Sequence, residues 1–106
     1  MRTYEAVFIL DNRKLEDDGE AFSREIAEHI KTLGGTVQKR ISLGRKQFAR
    51  PIGKHKAGVY WDYVLDMTPE NVAAFQDNYK LNSTVLRLVV FLYEEPPEPV
   101  KTDSAG

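Results

Sequence analysis

Cysteine is absent from the 106 residues, so neither a disulfide framework nor thiolate metal or redox chemistry is open to this chain; that fits a reducing compartment without requiring one. Long apolar runs are also absent. The longest, such as Leu88 to Tyr93, fall far short of the ~20 residues that cross a bilayer, so no membrane association is expected. Met1 to Asp11 carries Arg2 and Glu5 within its apolar stretch and no cleavage site follows, which argues against a signal peptide and for a soluble, cytoplasmic protein. Histidine is scarce: His29 lies on the polar side of a helical pattern and His55 between Lys54 and Lys56, neither beside a carboxylate in sequence, so both read as solvated. There is no Walker loop, no GxGxxG and no metal-ligand spacing, and Asp17-Asp18 reads as helix-start electrostatics. The expectation is therefore a non-enzyme with no cofactor, no metal and no small-molecule substrate.

The most informative lack is of acids in one stretch. From His29 to Trp61 there is no Asp or Glu, while eight cations stand there: Lys31, Lys39, Arg40, Arg45, Lys46, Arg50, Lys54 and Lys56. The rest of the chain carries the other seven cations against all sixteen acids, so the net charge of −1 conceals a strong segregation. A cationic stretch in a near-neutral protein is the footprint of a phosphate-backbone contact, because Lys and Arg release condensed counterions on binding. The same footprint suits an acidic protein, an anionic membrane surface or a merely solvated face, and charge alone leaves these open.

What is present has the composition of one ordinary globular domain: 42% hydrophobic, 10% aromatic and 29% charged residues. Tyr4 to Leu10 is a nearly continuous run of β-formers, the pattern of a central strand. Leu15, Phe22, Ile26, Ile30 and Leu33 then recur at helical spacing, with acids crowding the start, Lys31 in the last turn and Gly34-Gly35 as a stop. Thr36 onward reads as extended chain, and Pro51-Ile52-Gly53 interrupts it before a second run, Ala57 to Leu65, that places Ala57, Val59, Trp61, Tyr63 and Leu65 on one face. Thr68-Pro69-Glu70 opens a helix with Val72, Phe75 and Tyr79 inward, and Val85 to Tyr93 is a last strand. Residues 1–94 form the expected domain; 95–106, with three prolines from 96 on, read as a disordered tail.

The order β-α-β-β-α-β is that of an α+β, ferredoxin-like sandwich: a four-stranded antiparallel sheet with two helices on one face and the other face open. The last strand offers apolar residues both ways, Leu86, Leu88, Val90 and Leu92 to one side and Val85, Val89, Phe91 and Tyr93, with Arg87, to the other. If the helices take the first set, the second is an exposed patch of the kind that marks a partner site. Val85, Arg87, Val89 and Phe91 are thus the candidate protein-partner residues.

Three blocks resemble one family. Met1-Arg2-Thr3-Tyr4-Glu5, Leu43-Gly44-Arg45-Lys46-Gln47-Phe48-Ala49-Arg50-Pro51-Ile52-Gly53-Lys54 and Leu81-Asn82-Ser83-Thr84-Val85-Leu86-Arg87 are similar to segments of bacterial small-subunit ribosomal protein six, at matching places in the element order and over about residues 1–94. The resemblance implies a structural constituent of the small ribosomal subunit that binds the central domain of 16S ribosomal RNA together with ribosomal protein eighteen, without catalysis. It assigns Arg2, Arg45, Lys46 and Lys54 to RNA, and the charge map adds Lys39, Arg40, Arg50 and Lys56. Arg50 departs from the family's usual Tyr, so the Tyr stacking or hydroxyl contact does not carry over and a guanidinium that can stack or pair with phosphate stands in its place; Lys80 departs from a common Arg, keeping the charge and losing a bidentate fork.

Other likenesses are thinner. Gly35-Thr36-Val37-Gln38 is similar to the Gly-x-Val-Gln of acylphosphatases, but it follows the first helix rather than the first strand and continues Lys39-Arg40. Lys56 to Tyr63 lies where RNA-recognition motifs stack bases, yet lacks their Gly-aromatic core, and Trp61 and Tyr63 are expected to be packed inside. A regulatory module that dimerises through its open sheet is the other class in play.

Overall fold

In a computed structural model that describes residues 1–93, the chain forms β1 (Arg2–Leu10), α1 (Glu20–Thr32), β2 (Thr36–Ile52), β3 (His55–Met67), α2 (Pro69–Tyr79) and β4 (Val85–Leu92), with a single 3₁₀ turn at Asn12–Lys14. All pairings are antiparallel and the sheet order is β2-β3-β1-β4, the ferredoxin-like sandwich expected from the element order. The tail expected from residue 95 lies outside the described residues. No helix among the described residues is long and apolar enough to cross a membrane.

Alternation along the central strands sets the layers. Tyr4, Ala6, Phe8 and Leu10 of β1 and Val59, Trp61, Tyr63, Leu65 and Met67 of β3 are buried beneath Ile26 and Ile30 of α1 and Val72, Phe75 and Tyr79 of α2. Phe8 is the hub, edge-on to Tyr63, Phe75 and Tyr79 with centroids 5.6, 6.0 and 5.2 Å away. Tyr63 carries a polar tip into this core, and its hydroxyl is satisfied there by the Ser23 hydroxyl and by donation to the Ser23 carbonyl.

Three local details differ from the sequence reading, each for a physical reason. The first helix starts at Glu20 rather than near Leu15, because Asp18 and Gly19 take left-handed conformations (φ 56° and 92°). Asp17 accepts from the backbone N–H of Gly19 and Ala21, satisfying donors at the helix entry. A Cβ on Gly19 would stand 2.8 Å from Trp61 Nε1, whose N–H donates to the Asp18 carbonyl, so this turn is pinned to β3. Pro51 lies within β2, and the break comes at Gly53-Lys54; β2 is an edge strand, where a missing N–H is tolerated. In β4 a register shift between Ile9 and Leu10 of its partner puts Val85 opposite Leu10, where it packs against the core. Val85 is therefore removed from the open-face set, while Arg87, Val89 and Phe91 remain on that face, the last two 38% and 46% exposed.

Candidate nucleic-acid interface

β2 and β3 outrun the sheet. β1 accompanies β3 only from Met67 to Val59, so His55–Gly58 and the facing part of β2 form a two-stranded arm. Its closing turn has Gly53 at φ 57°, at the first central position that a II′ hairpin turn reserves for glycine. The arm's base is tight: a Cβ on Gly58 would lie 2.9 Å from the Leu10 carbonyl oxygen and from the Phe48 ring, which packs edge-on against Tyr60. Between the pairs Gln47↔Ala57 and Ile52↔His55, four residues of β2 face one of β3, so Phe48 to Pro51 swell outward and carry Arg50 into solvent.

Register decides which cations stand together. Bulges at Gln38 and Leu43 each reverse the phase of alternation along β2, which leaves Lys39, Ile41, Gly44 and Lys46 opposite open-face residues of β3 and Arg40, Ser42 and Arg45 opposite the core-facing Tyr63, Trp61 and Val59. Arg45, Lys46, Arg50, Lys54 and Lys56 are all exposed and share the arm and its root. Arg2, opposite Met67 at the far end of β3, is separated from the arm's tip by twelve strand residues, roughly 40 Å. Lys39 is exposed nearer the Arg2 end. The structure thus gathers five of the candidate cations and leaves Arg2 and Lys39 apart from them.

Arg40 is engaged by the body of the fold at its surface. Its Nη1 donates to Glu20 Oε2 and to Ser23 Oγ, both at 3.0 Å, and its guanidinium lies 5.3 Å above the Trp61 ring. It ties β2 to α1, although its side chain stays 33% exposed. Arg45 pairs with Asp18 at 3.2 Å, but both side chains are well exposed, and such a pair contributes at most about 1 kcal/mol. A phosphate can displace it.

Both histidines depart from the solvated reading. His29 is half-buried, stacked on Phe75 with its Nδ1 3.3 Å from the Tyr79 hydroxyl, and burial lowers its pKa. His55 has its Nδ1 3.0 Å from Arg13 Nη2 and 3.9 Å from Asp11 Oδ2. Its carboxylate neighbour comes from the end of β1, a contact that sequence adjacency could not have revealed. Trp61 and Tyr63 are buried, as expected, so they offer no platform for bases.

The open face carries Val7 and Ile9 of β1, Tyr60 and Val64 of β3 and Val89 and Phe91 of β4, with Glu5 and Asp62 among them; Ile9 and Val64 are buried by their neighbours, and the exposed apolar surface is that of Val89 and Phe91. The Glu5 carboxyl is pushed up to about 7, first by hydrogen bonding with Asp62, then by burial and by repulsion from the Asp62 charge. Asp62 Oδ1 is sealed from solvent with no hydrogen-bond partner among the described residues.

The geometry defines a class: a ferredoxin-like sandwich with a polycationic hairpin arm and one uncovered sheet face. The family described as Ribosomal protein S6 matches residues 3–91. Small ribosomal subunit protein bS6 of Helicobacter pylori (strain Shi470) is 30% identical over 98 residues, which are 92% of this chain and 69% of that one. The bS6 protein of Helicobacter hepaticus is also 30% identical, over 92% of this chain and 72% of its own. In fold, the chain is similar to the crystal structure of 30S ribosomal protein S6 from Thermotoga maritima, with a TM-score of 0.81 at 22% identity over 87% of each chain. The chain belongs to the ribosomal protein S6 family and is a structural constituent of the small ribosomal subunit.

Proposed function

We propose that this protein binds the central domain of 16S ribosomal RNA through the arm, docks ribosomal protein eighteen on the open sheet face, and catalyses nothing. The observation that carries the reading is the arm itself: Arg45, Lys46, Arg50, Lys54 and Lys56 are exposed on one projecting hairpin, and the sole ion pair among them in the described residues is the solvent-exposed one of Arg45 with Asp18. Cations on a projecting ribbon engage phosphates and 2′-hydroxyls of a folded RNA by shape, with little base readout. Pro51 and the tight hairpin turn limit the arm's freedom before binding, which lowers the ordering cost. For the protein partner, the support is the apolar surface around Val89 and Phe91, with Arg87 beside it.

The test is binding of the purified protein to a central-domain RNA fragment over a salt series, with and without ribosomal protein eighteen. Tight, steeply salt-dependent binding that gains from the partner is expected. Replacing Lys46 and Arg50 by Ala should flatten the salt slope by about 1 to 2. A folded protein that binds in neither condition would refute the reading.

A further inference from the structure

We propose that the notch between the 3₁₀ turn after β1 and the tip of the arm is a site for a single phosphate group, held by Arg13, Lys54 and Lys56, and that its occupant is a backbone phosphate of the bound RNA. The proposal rests on the RNA reading above for its source, but the site is defined by its own geometry. Asn12 and Arg13 form one wall and Lys54, His55, Lys56 and Ala57 the other, around a cleft of about 240 Å³. Since water occupies about 30 Å³ per molecule, there is room for a tetrahedral oxyanion with several waters. Three of the six lining residues are cations and none is an acid.

Among the described residues, the carboxylate of Asp11 lies beside the site and works for it rather than against it. Asp11 is buried, and its Oδ1 accepts from the Arg13 backbone N–H at 3.0 Å and from Arg13 Nε at 3.4 Å. Arg13 Nη2 in turn donates to His55 Nδ1 at 3.0 Å. The guanidinium is thereby anchored at Nε and at one Nη2 proton, while the side chain as a whole stays 68% exposed. Three N–H donors remain on the outer edge, in the fork that suits two oxygens of a phosphate. Most of the entropy of ordering that arginine has been spent in the free protein, which distinguishes this notch from a scatter of mobile surface cations. Its walls come from segments about forty residues apart, so an occupying phosphate would also fix the arm relative to the body of the sheet.

The experiment follows backbone amide shifts of the full chain on adding inorganic phosphate, with chloride at equal ionic strength as the control, and repeats the RNA salt series with Arg13→Gln and with the double variant Lys54→Gln, Lys56→Gln. The double variant alters exposed groups and covers the case in which Arg13→Gln disturbs Asp11 and the fold. Expected are phosphate-specific shifts confined to residues 12–13 and 54–57, lost in the double variant, and RNA salt slopes lowered by about 1 in Arg13→Gln and about 2 in the double variant. Steep RNA binding by the wild type with wild-type slopes in both variants would overturn the notch and take Lys54 and Lys56 out of the arm's RNA contacts, leaving RNA binding to Arg45, Lys46 and Arg50. Phosphate shifts at the notch in a protein that binds no RNA would uphold the oxyanion site, assign it to free phosphate and refute the RNA reading. Shifts that chloride reproduces, or that spread over every cation, would overturn it.

Discussion

Changing Glu5 to Gln should stabilise the protein above neutral pH and do little in mild acid. In the native state the Glu5 carboxyl ionises near 7 instead of its ordinary 4.5, because its proton is held against Asp62 on the open sheet face. Between these values the folded protein retains a proton that the unfolded chain has released, so this group's contribution to stability falls as pH rises, and the full deficit persists above 7. At ~1.36 kcal/mol per pH unit the interval sets a ceiling of about 3 kcal/mol; Glu5 is half-buried, and water on that face reduces this to about 1–2 kcal/mol. Gln carries a permanent amide donor that can serve Asp62 at every pH. His29, lowered by burial, and Asp11 and Asp66, lowered on balance by hydrogen bonds, lose stability as pH falls, so the wild-type curve alone mixes opposing slopes. The difference between variant and wild type isolates Glu5. Urea unfolding at pH 5 and pH 8 measures it, and the variant's advantage should be about 1–2 kcal/mol larger at pH 8 with an unchanged m-value. The same difference at both pH values would refute the raised pKa of Glu5.

Arg40→Ala should cost about 1–2 kcal/mol in urea unfolding, through loss of the bonds to Glu20 and Ser23 and the stacking on Trp61, while the RNA salt slope stays near wild type. Equal loss of RNA binding and none of stability would reverse that assignment. Gly58→Ala should destabilise by about 2 kcal/mol, since its Cβ meets the Leu10 carbonyl oxygen at 2.9 Å; an unchanged thermal midpoint would show that the arm's base yields. Val85→Glu should lower stability because that side chain packs on the core, whereas Val89→Glu should leave stability within about 0.5 kcal/mol and weaken the complex with ribosomal protein eighteen. Heterodimer formation by Val89→Glu at wild-type affinity would move the partner off this face.

Period-two and helical patterns along β1, β3 and α2 made the layers readable, because buried alternation leaves few other registers open to a strand such as Val59 to Met67. The misjudged positions share a cause: they depend on irregularities that periodicity does not encode. A single register shift opposite Leu10 turned Val85 inward, and a left-handed pair at Asp18-Gly19 delayed α1 to Glu20. The charge map found the arm, since like charges close in sequence on one hairpin remain close in space, but it could not separate free cations from employed ones. Arg40 and Arg45 differ from Lys46 by which face of β2 they occupy and by acids on the loop before α1 and in its first turn, twenty and twenty-seven residues upstream. The same blindness hid the Asp11, Arg13 and His55 network, whose parts are ordinary in sequence and meet only because the arm folds back beside the end of β1. Composition therefore locates charge along a chain, while register and turns determine which of those charges remain available to a partner.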